Sequence, residues 1–221
     1  MDIKSHQRVN DILLGPIERP LLQTLAAKMP RWVTPDILTA VGVLGAVFIF
    51  AGYGLTNVNH NFLWLASFGF VLNWFGDSLD GTLARYRKIQ RPKFGFFIDH
   101  TVDAFNEFLI AVGLGLSPYV SFNIACLGLI GYLLLSVFVY VRTCVDGVFQ
   151  ISYGKIGPTE IRVIFIMLNA VMYLVGKPEV LLPWGLTSIY DVMCGLLAAG
   201  LMLVFLVSTF QQAKKLAQLK E

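Results

Sequence analysis

Charge is scarce in this chain. Lysine, arginine, aspartate and glutamate supply 14% of its 221 residues, against about 25% in soluble globular domains, while 56% are hydrophobic and the mean hydropathy is +0.68. That excludes an ordinary soluble domain and implies an integral membrane protein. Cysteine is equally thin: Cys126, Cys144 and Cys194 stand in apolar surroundings without CxxC spacing. Neither a disulfide framework nor a zinc site is expected, and the three read as small core hydrophobes. The first 30 residues lack any apolar run and carry Asp2, Lys4, Arg8, Asp11, Glu18, Arg19 and Lys28. With no cleavage site of small residues either, no secretory signal peptide is expected.

Long apolar stretches are what the chain does have. Six of them, near 36–55, 62–84, 95–116, 121–142, 160–176 and 187–209, approach the roughly 17–25 residues that cross a bilayer as helix. The connections Thr56 to Asn61 and Ser117 to Val120 hold no lysine or arginine. In contrast, Arg8, Arg19, Lys28 and Arg31 precede the first stretch, Arg85, Arg87, Lys88, Arg91 and Lys93 fill the second connection, and Lys214, Lys215 and Lys220 follow the last. The positive-inside rule then puts both termini and the second and fourth connections in the cytoplasm. The expected fold is an all-α integral membrane bundle of six transmembrane helices. Its divisions are an N-terminal cytoplasmic or interfacial segment over 1–33, a membrane domain over 34–210 and a basic tail over 211–221. Leu21, Leu22, Leu25, Ala26 and Met29 fall on one stripe and predict a short interfacial helix, limited by Pro16, Pro20 and Pro30.

Four aspartates break the apolar pattern, in the run Asp77-x2-Asp80-Gly81-x2-Ala84-Arg85-x9-Gly95-x3-Asp99-x3-Asp103. The first group occupies one face of the inward-running second helix, and Gly95, Asp99 and Asp103 occupy one face of the outward-running third. Two neighbouring antiparallel helices thus point carboxylates into a common space near their cytoplasmic ends. A carboxylate costs roughly 2.5–3.5 kcal/mol at a helix centre on insertion scales. A hard divalent cation would neutralise such a group, because carboxylate oxygens without His or Cys suit Mg²⁺, Mn²⁺ or Ca²⁺ rather than zinc or copper. Four carboxylates suffice for two ions of the kind that clamp attacking and leaving oxygens in phosphoryl displacement. Arg85 is placed to bind a substrate phosphate.

This run resembles the signature of the CDP-alcohol phosphotransferase (CDP-alcohol phosphatidyltransferase) family, Asp-x2-Asp-Gly-x2-Ala-Arg-x8 or x9-Gly-x3-Asp-x3-Asp, at every fixed position. Two features set this chain apart: the connector has the longer, nine-residue form, and Pro92 stands where many members have Ser or Thr. No hydroxyl contact to the nucleotide is expected from it. The resemblance implies phospholipid biosynthesis, in which a substituted phosphate passes from a CDP-linked donor to an alcohol and CMP is released. It implies Mg²⁺ or Mn²⁺, two ions per site: Asp77 and Asp99 bridging both, Asp80 on the first, Asp103 on the second and serving as proton acceptor. Gly81, Ala84, Arg85 and Gly95 would lie on the donor side. So would Asp36 and Thr39, from the stretch Thr34-Pro35-Asp36-Ile37-Leu38-Thr39 that resembles the family's first span; the same stretch also reads as a helix start, with Thr34 as cap and Pro35 at the first position. Expected partners are CDP-diacylglycerol or another CDP-alcohol, a small alcohol acceptor, the lipid bilayer and a second copy in a homodimer, with no nucleic acid.

The acceptor must be recognised outside the motif. Arg142 ends the fourth stretch, and Lys155, Glu160 and Arg162 open the fifth. Together they would make an anion pocket for an alcohol carrying phosphate or carboxylate, as in family members that use glycerol phosphate, inositol phosphate or serine; ordinary flanking charge, with Glu160 paired to a neighbour, is the plain alternative. His100 points away from its neighbour Asp99 and reads as packing, and Glu107 continues the Asp99–Asp103 stripe one turn deeper. Gly113, Gly115, Gly195 and Gly200 read as helix-packing residues, and the four tryptophans mostly as interfacial anchors. Within the enzyme class the alternative is transfer from CDP-choline or CDP-ethanolamine to diacylglycerol. Outside it, a cation transporter would need a charged path through the bilayer, and the outer halves of these stretches hold almost no charge. A protein that only shapes the membrane leaves the four acids without a purpose.

Overall fold

The computed structural model describes residues 7–9, 12–150, 157–183 and 185–218, with the side chains of 7–9 and 148–150 left aside. Among them are seven helices: α1 (Gly15–Lys28), α2 (Pro35–Leu55), α3 (Phe62–Tyr86), α4 (Pro92–Leu116), α5 (Phe122–Asp146), α6 (Pro158–Val175) and α7 (Ile189–Ala217). Helices α2 to α7 coincide with the six expected stretches, although α7 runs on to Ala217. Four of them, α2, α5, α6 and α7, are long and apolar enough to cross a membrane. Helices α3 and α4 reach 25 residues each but carry the motif acids. The chain is therefore read as a multi-pass membrane protein.

Helix starts follow local chemistry. The Thr34 hydroxyl accepts the Ile37 N–H at 3.3 Å and Pro35 takes the first position of α2, which bears out the helix-start reading of this stretch. Helix α5 stops at Gly147, whose φ of 72° a side chain would resist. Four short strands were not expected: β1 (Gln7–Val9) pairs in parallel with β2 (Val148–Gln150), and β3 (Glu179–Leu182) pairs antiparallel with β4 (Gly185–Ser188). Runs of three or four residues are too short to show a two-residue period.

The helices neighbour one another in the order α6, α3, α2, α4, α5, α7. The tightest seam is between α2 and α3. A Cβ on Gly76 would stand 2.3 Å from the Gly42 nitrogen, and one on Gly45 would stand 2.4 Å from the Asn73 nitrogen. Glycine is required there because the two backbones touch. The expected packing glycines fare unevenly, for Gly113 meets the Phe50 backbone and Gly115 meets Phe122, whereas a Cβ on Gly195 or Gly200 would find open space. Far from the motif, Tyr53 donates to the Asn169 side-chain oxygen at 2.9 Å and Asn169 donates to Ser67 at 3.1 Å, joining α2, α6 and α3.

Polar ties fasten both ends of the bundle. At the far end the Asp191 carboxylate on α7 accepts the Ser121 N–H at 2.6 Å and its hydroxyl at 2.8 Å, and so caps α5. At the motif end Asp146 on α5 accepts from Gln212 at 2.7 Å and Lys215 at 2.9 Å on α7. Helix α1 lies against α3, with Leu22 and Ala26 packed among Val33, Leu38, Leu79 and Leu83. Leu13, Ile17 and Leu21 remain exposed on its other side. Buried Glu18 anchors α1 by accepting from the Trp74 indole N–H and the Thr159 hydroxyl, both at 2.7 Å. Trp74 thus serves inside the fold rather than as an interfacial anchor.

Candidate active site

Residue spacing on α3 decides the first step of the geometry. Asp77 and Asp80 are three apart, about 60° round the helix, and the neighbours of α3 separate them further. Asp77 joins Asp99 and Asp103 of α4: one carboxylate oxygen from each lies within 4.8 Å of the other two. Asp80 turns to α2, where its Oδ2 accepts the Thr39 hydroxyl at 2.6 Å and its Oδ1 accepts the Gly81 N–H. The triangle therefore contains three of the four motif aspartates, and Thr39 joins the site through the fourth.

Arginine 162 enters from α6. Its Nη2 donates to Asp77 Oδ2 at 2.6 Å and its Nε donates to the Asn73 side-chain oxygen at 2.9 Å. Asn73 also donates to the Gly42 carbonyl at 2.9 Å, so one buried amide spans α2, α3 and α6. Buried Nη1 of Arg162 has no hydrogen-bond partner among the described residues. An unfilled buried donor on a fixed guanidinium is a place for an anionic oxygen.

The residues expected on the donor side lie at the same end. The Arg85 guanidinium lies over Gly81, where an added Cβ would stand 3.3 Å from its Nη1, and Nη2 of Arg85 donates to Thr82 at 3.1 Å. Gly95 faces open space, and Ala84 is partly exposed one turn after Asp80. Asp36, exposed in the first turn of α2, forms an ion pair with Arg91, whose guanidinium also lies 4.1 Å from the centre of the Phe94 ring. Arg87 donates to the carbonyls of Met29, Pro30 and Val33, at 3.0, 2.8 and 2.5 Å, and holds the α1–α2 connection against α3.

The expected acceptor residues divide. Arg162 is at the centre, and Arg142 is half-buried in the last turns of α5, four residues before Asp146. Lys155 lies outside the described residues. Glu160 does not face the site as a free carboxylate: Oε1 accepts the Leu14 N–H at 2.7 Å and Oε2 accepts the Gly157 N–H at 2.9 Å. It closes the start of α6 and ties it to the chain before α1. His100 packs its ring 4.3 Å from Phe96 and 5.2 Å from Tyr140.

Three carboxylates this close repel by roughly 3–4 kcal/mol per pair at an effective dielectric near 20. They are an all-oxygen donor set, and so fit a hard divalent cation rather than zinc or copper. The site residues, from Asp36 on α2 to Arg162 on α6, lie inside a match to the CDP-alcohol phosphatidyltransferase family model over residues 32–206. The chain belongs to that family. Similar proteins include a phosphatidylinositol phosphate synthase from Cutibacterium acnes, 38% identical over 85 residues, which are 38% of each chain. Two archaetidylinositol phosphate synthases are also similar. That of Pyrococcus horikoshii is 34% identical over 55% of this chain and 59% of its own length. That of Methanothermobacter thermautotrophicus is 28% identical over 61% and 65%. The matches thus span less than two thirds of each of these relatives. The aspartate motif of this family member was legible in the sequence. Asn73 was not singled out, although a polar residue one turn before Asp77 on an apolar helix was a signal of it.

Proposed function

We propose that this chain is a metal-dependent enzyme that transfers a phosphatidyl group from CDP-diacylglycerol to a small anionic alcohol and releases CMP. The observation that carries the reading is the carboxylate triangle with Arg162 against it, a negative cradle beside an unfilled anion donor. The proposed cofactor is Mg²⁺ or Mn²⁺, two ions per site, held by Asp77, Asp80, Asp99 and Asp103; when bound it would withdraw charge from the donor's pyrophosphate. Gly81, Ala84, Arg85, Gly95, Asp36 and Thr39 would seat the donor. Arg162, with Arg142 and Lys155, would hold the anionic group of the acceptor. Glu160 is left out because both its oxygens are used by backbone N–H groups.

In the reaction the acceptor hydroxyl gives its proton to the Asp103 carboxylate while its oxygen bonds the donor's lipid-bearing phosphorus. The bond from that phosphorus to the CMP oxygen breaks, and CMP leaves with the electron pair. The guanidinium on Asp77 holds the acceptor still, so its hydroxyl need not be captured from solution. Six spans, with the site and both termini in the cytoplasm, and a homodimer complete the proposal; the basic residues at the motif end support this orientation.

The relatives' products point to inositol phosphate as the first acceptor to try. The test is purified protein in detergent with Mg²⁺ or Mn²⁺ and CDP-diacylglycerol, offered inositol phosphate, glycerol phosphate or serine, with CMP release measured. A parallel arm offers CDP-choline and diacylglycerol. CMP release with an anionic acceptor is expected, and its absence with every acceptor under both metals would sink the proposal. Release only in the parallel arm would reverse the donor and acceptor assignment.

A further inference from the structure

We infer that Asn73 is a positioning residue for the acceptor, acting through Arg162. The inference rests on the reading above that Arg162 holds the acceptor's anionic group. A guanidinium has a side edge, formed by Nε and Nη2, and an end, formed by Nη1 and Nη2. On this side edge Nε meets the Asn73 oxygen at 2.9 Å and Nη2 meets Asp77 Oδ2 at 2.6 Å. These two acceptors are four residues apart on α3, one helical turn, so a single edge spans them. The end is left with Nη1, buried and without a hydrogen-bond partner among the described residues.

Asn73 is what keeps the edges in this order. It is 1% exposed, and its amide nitrogen is committed to the Gly42 carbonyl of α2 at 2.9 Å, so its oxygen is held toward Nε. The seam around it is close-packed, for a Cβ on Gly45 would stand 2.4 Å from the Asn73 backbone nitrogen. With no acceptor for Nε, nothing holds the guanidinium edge-on. It would roll to face Asp77 end-on, the ordinary bidentate arginine–carboxylate pair. The end then belongs to Asp77, and the acceptor loses its fork. Asn73 touches neither substrate in this scheme, since it decides only which edge of Arg162 the acceptor finds.

The test compares Asn73→Leu, which removes both polar atoms, with Asn73→Asp, which keeps an oxygen facing Nε and gives up the donor to Gly42. Each is also made in an Arg162→Lys background, where there is no Nε to orient. Acceptor and donor KM and kcat are measured by CMP release with inositol phosphate and CDP-diacylglycerol, and acceptor binding by calorimetry. Asn73→Leu should raise the acceptor KM and Kd about tenfold or more, with donor KM and kcat within about threefold of the parent. Asn73→Asp should stay near the parent, and in Arg162→Lys the leucine change should add nothing further. If Asn73→Leu is not recovered folded, Asn73→Ala carries the same comparison.

A residue that only braces α2 against α3 would behave differently. Both substitutions would then lower thermal stability, with no selective effect on the acceptor, and that pattern overturns the inference. Effects that add in the Arg162→Lys background overturn it as well. If instead Arg162→Lys alone leaves the KM of every anionic acceptor unchanged, the fault lies in the assignment of Arg162 and not in Asn73.

Discussion

Removing the Glu18 carboxylate is expected to loosen the molecule at a point far from the motif in sequence. Glu18 is 8% exposed, and its Oε1 receives the Trp74 N–H from α3 and the Thr159 O–H from α6. Each bond to a charged acceptor contributes roughly 1.5–3 kcal/mol, and a donor stranded in the interior costs about 1–3 kcal/mol. The Thr159 hydroxyl can rotate to another acceptor, whereas the indole N–H cannot. Glu18→Ala should therefore cost about 3 kcal/mol, which for a chain of this size lowers Tm by roughly 6–12 °C. Glu18→Gln keeps an oxygen without the charge and should lose about half as much. Thermal unfolding in detergent, followed by size-exclusion chromatography, reads these shifts, and a cycle with Trp74→Phe isolates the pair. Thr159 is three residues before Arg162 on α6, so the alanine variant should also weaken acceptor binding at temperatures where it stays folded. A Glu18→Ala melting point within about 2 °C of the parent, or a coupling to Trp74 below ~0.5 kcal/mol, would refute the argument.

Other outcomes follow from the same geometry. Gly76→Ala places a Cβ 2.3 Å from the Gly42 nitrogen and should cost at least the ~1–3 kcal/mol of an overpacked core; a normal yield of monodisperse protein would show that the α2–α3 seam can open. Asp103→Asn should retain Mg²⁺ and CDP binding by calorimetry but lose turnover, whereas Asp77→Asn should lose metal affinity too; parent-like activity in Asp103→Asn would remove its role as base. Arg162→Ala should raise acceptor KM far more than donor KM, and the reverse pattern would move Arg162 to the donor side. Chelation should abolish CMP release, with recovery on adding Mg²⁺ or Mn²⁺ and not Zn²⁺.

Spacing alone carried the sequence a long way. Helix periodicity put Asp99 and Asp103 on one face of α4, and the apolar stretches located α2 to α7. The fixed motif placed the family, because carboxylates repeated on one face of each of two helices leave regular intervals that no other part of the fold can blur. Interval does not determine what lies across from a residue. Asp77 and Asp80 share a face of α3 in sequence, but Asp80 meets Thr39 because α2 lies on that side. Glu160 reads as an acidic pocket residue until the chain before α1 brings the Leu14 N–H to it.

By itself, then, the sequence determined a membrane-embedded helical chain with paired carboxylates at one end, since hydropathy and periodicity are properties of single segments. Only the tertiary structure decided that Asp77, Asp99 and Asp103 form the triangle and that Arg162 reaches it held by Asn73. These contacts join α3 to α4 and α6, and Asp77 and Arg162 are 85 positions apart in the chain. Their distances are fixed by how closely glycine lets neighbouring backbones approach and by which polar groups must find partners where water is excluded.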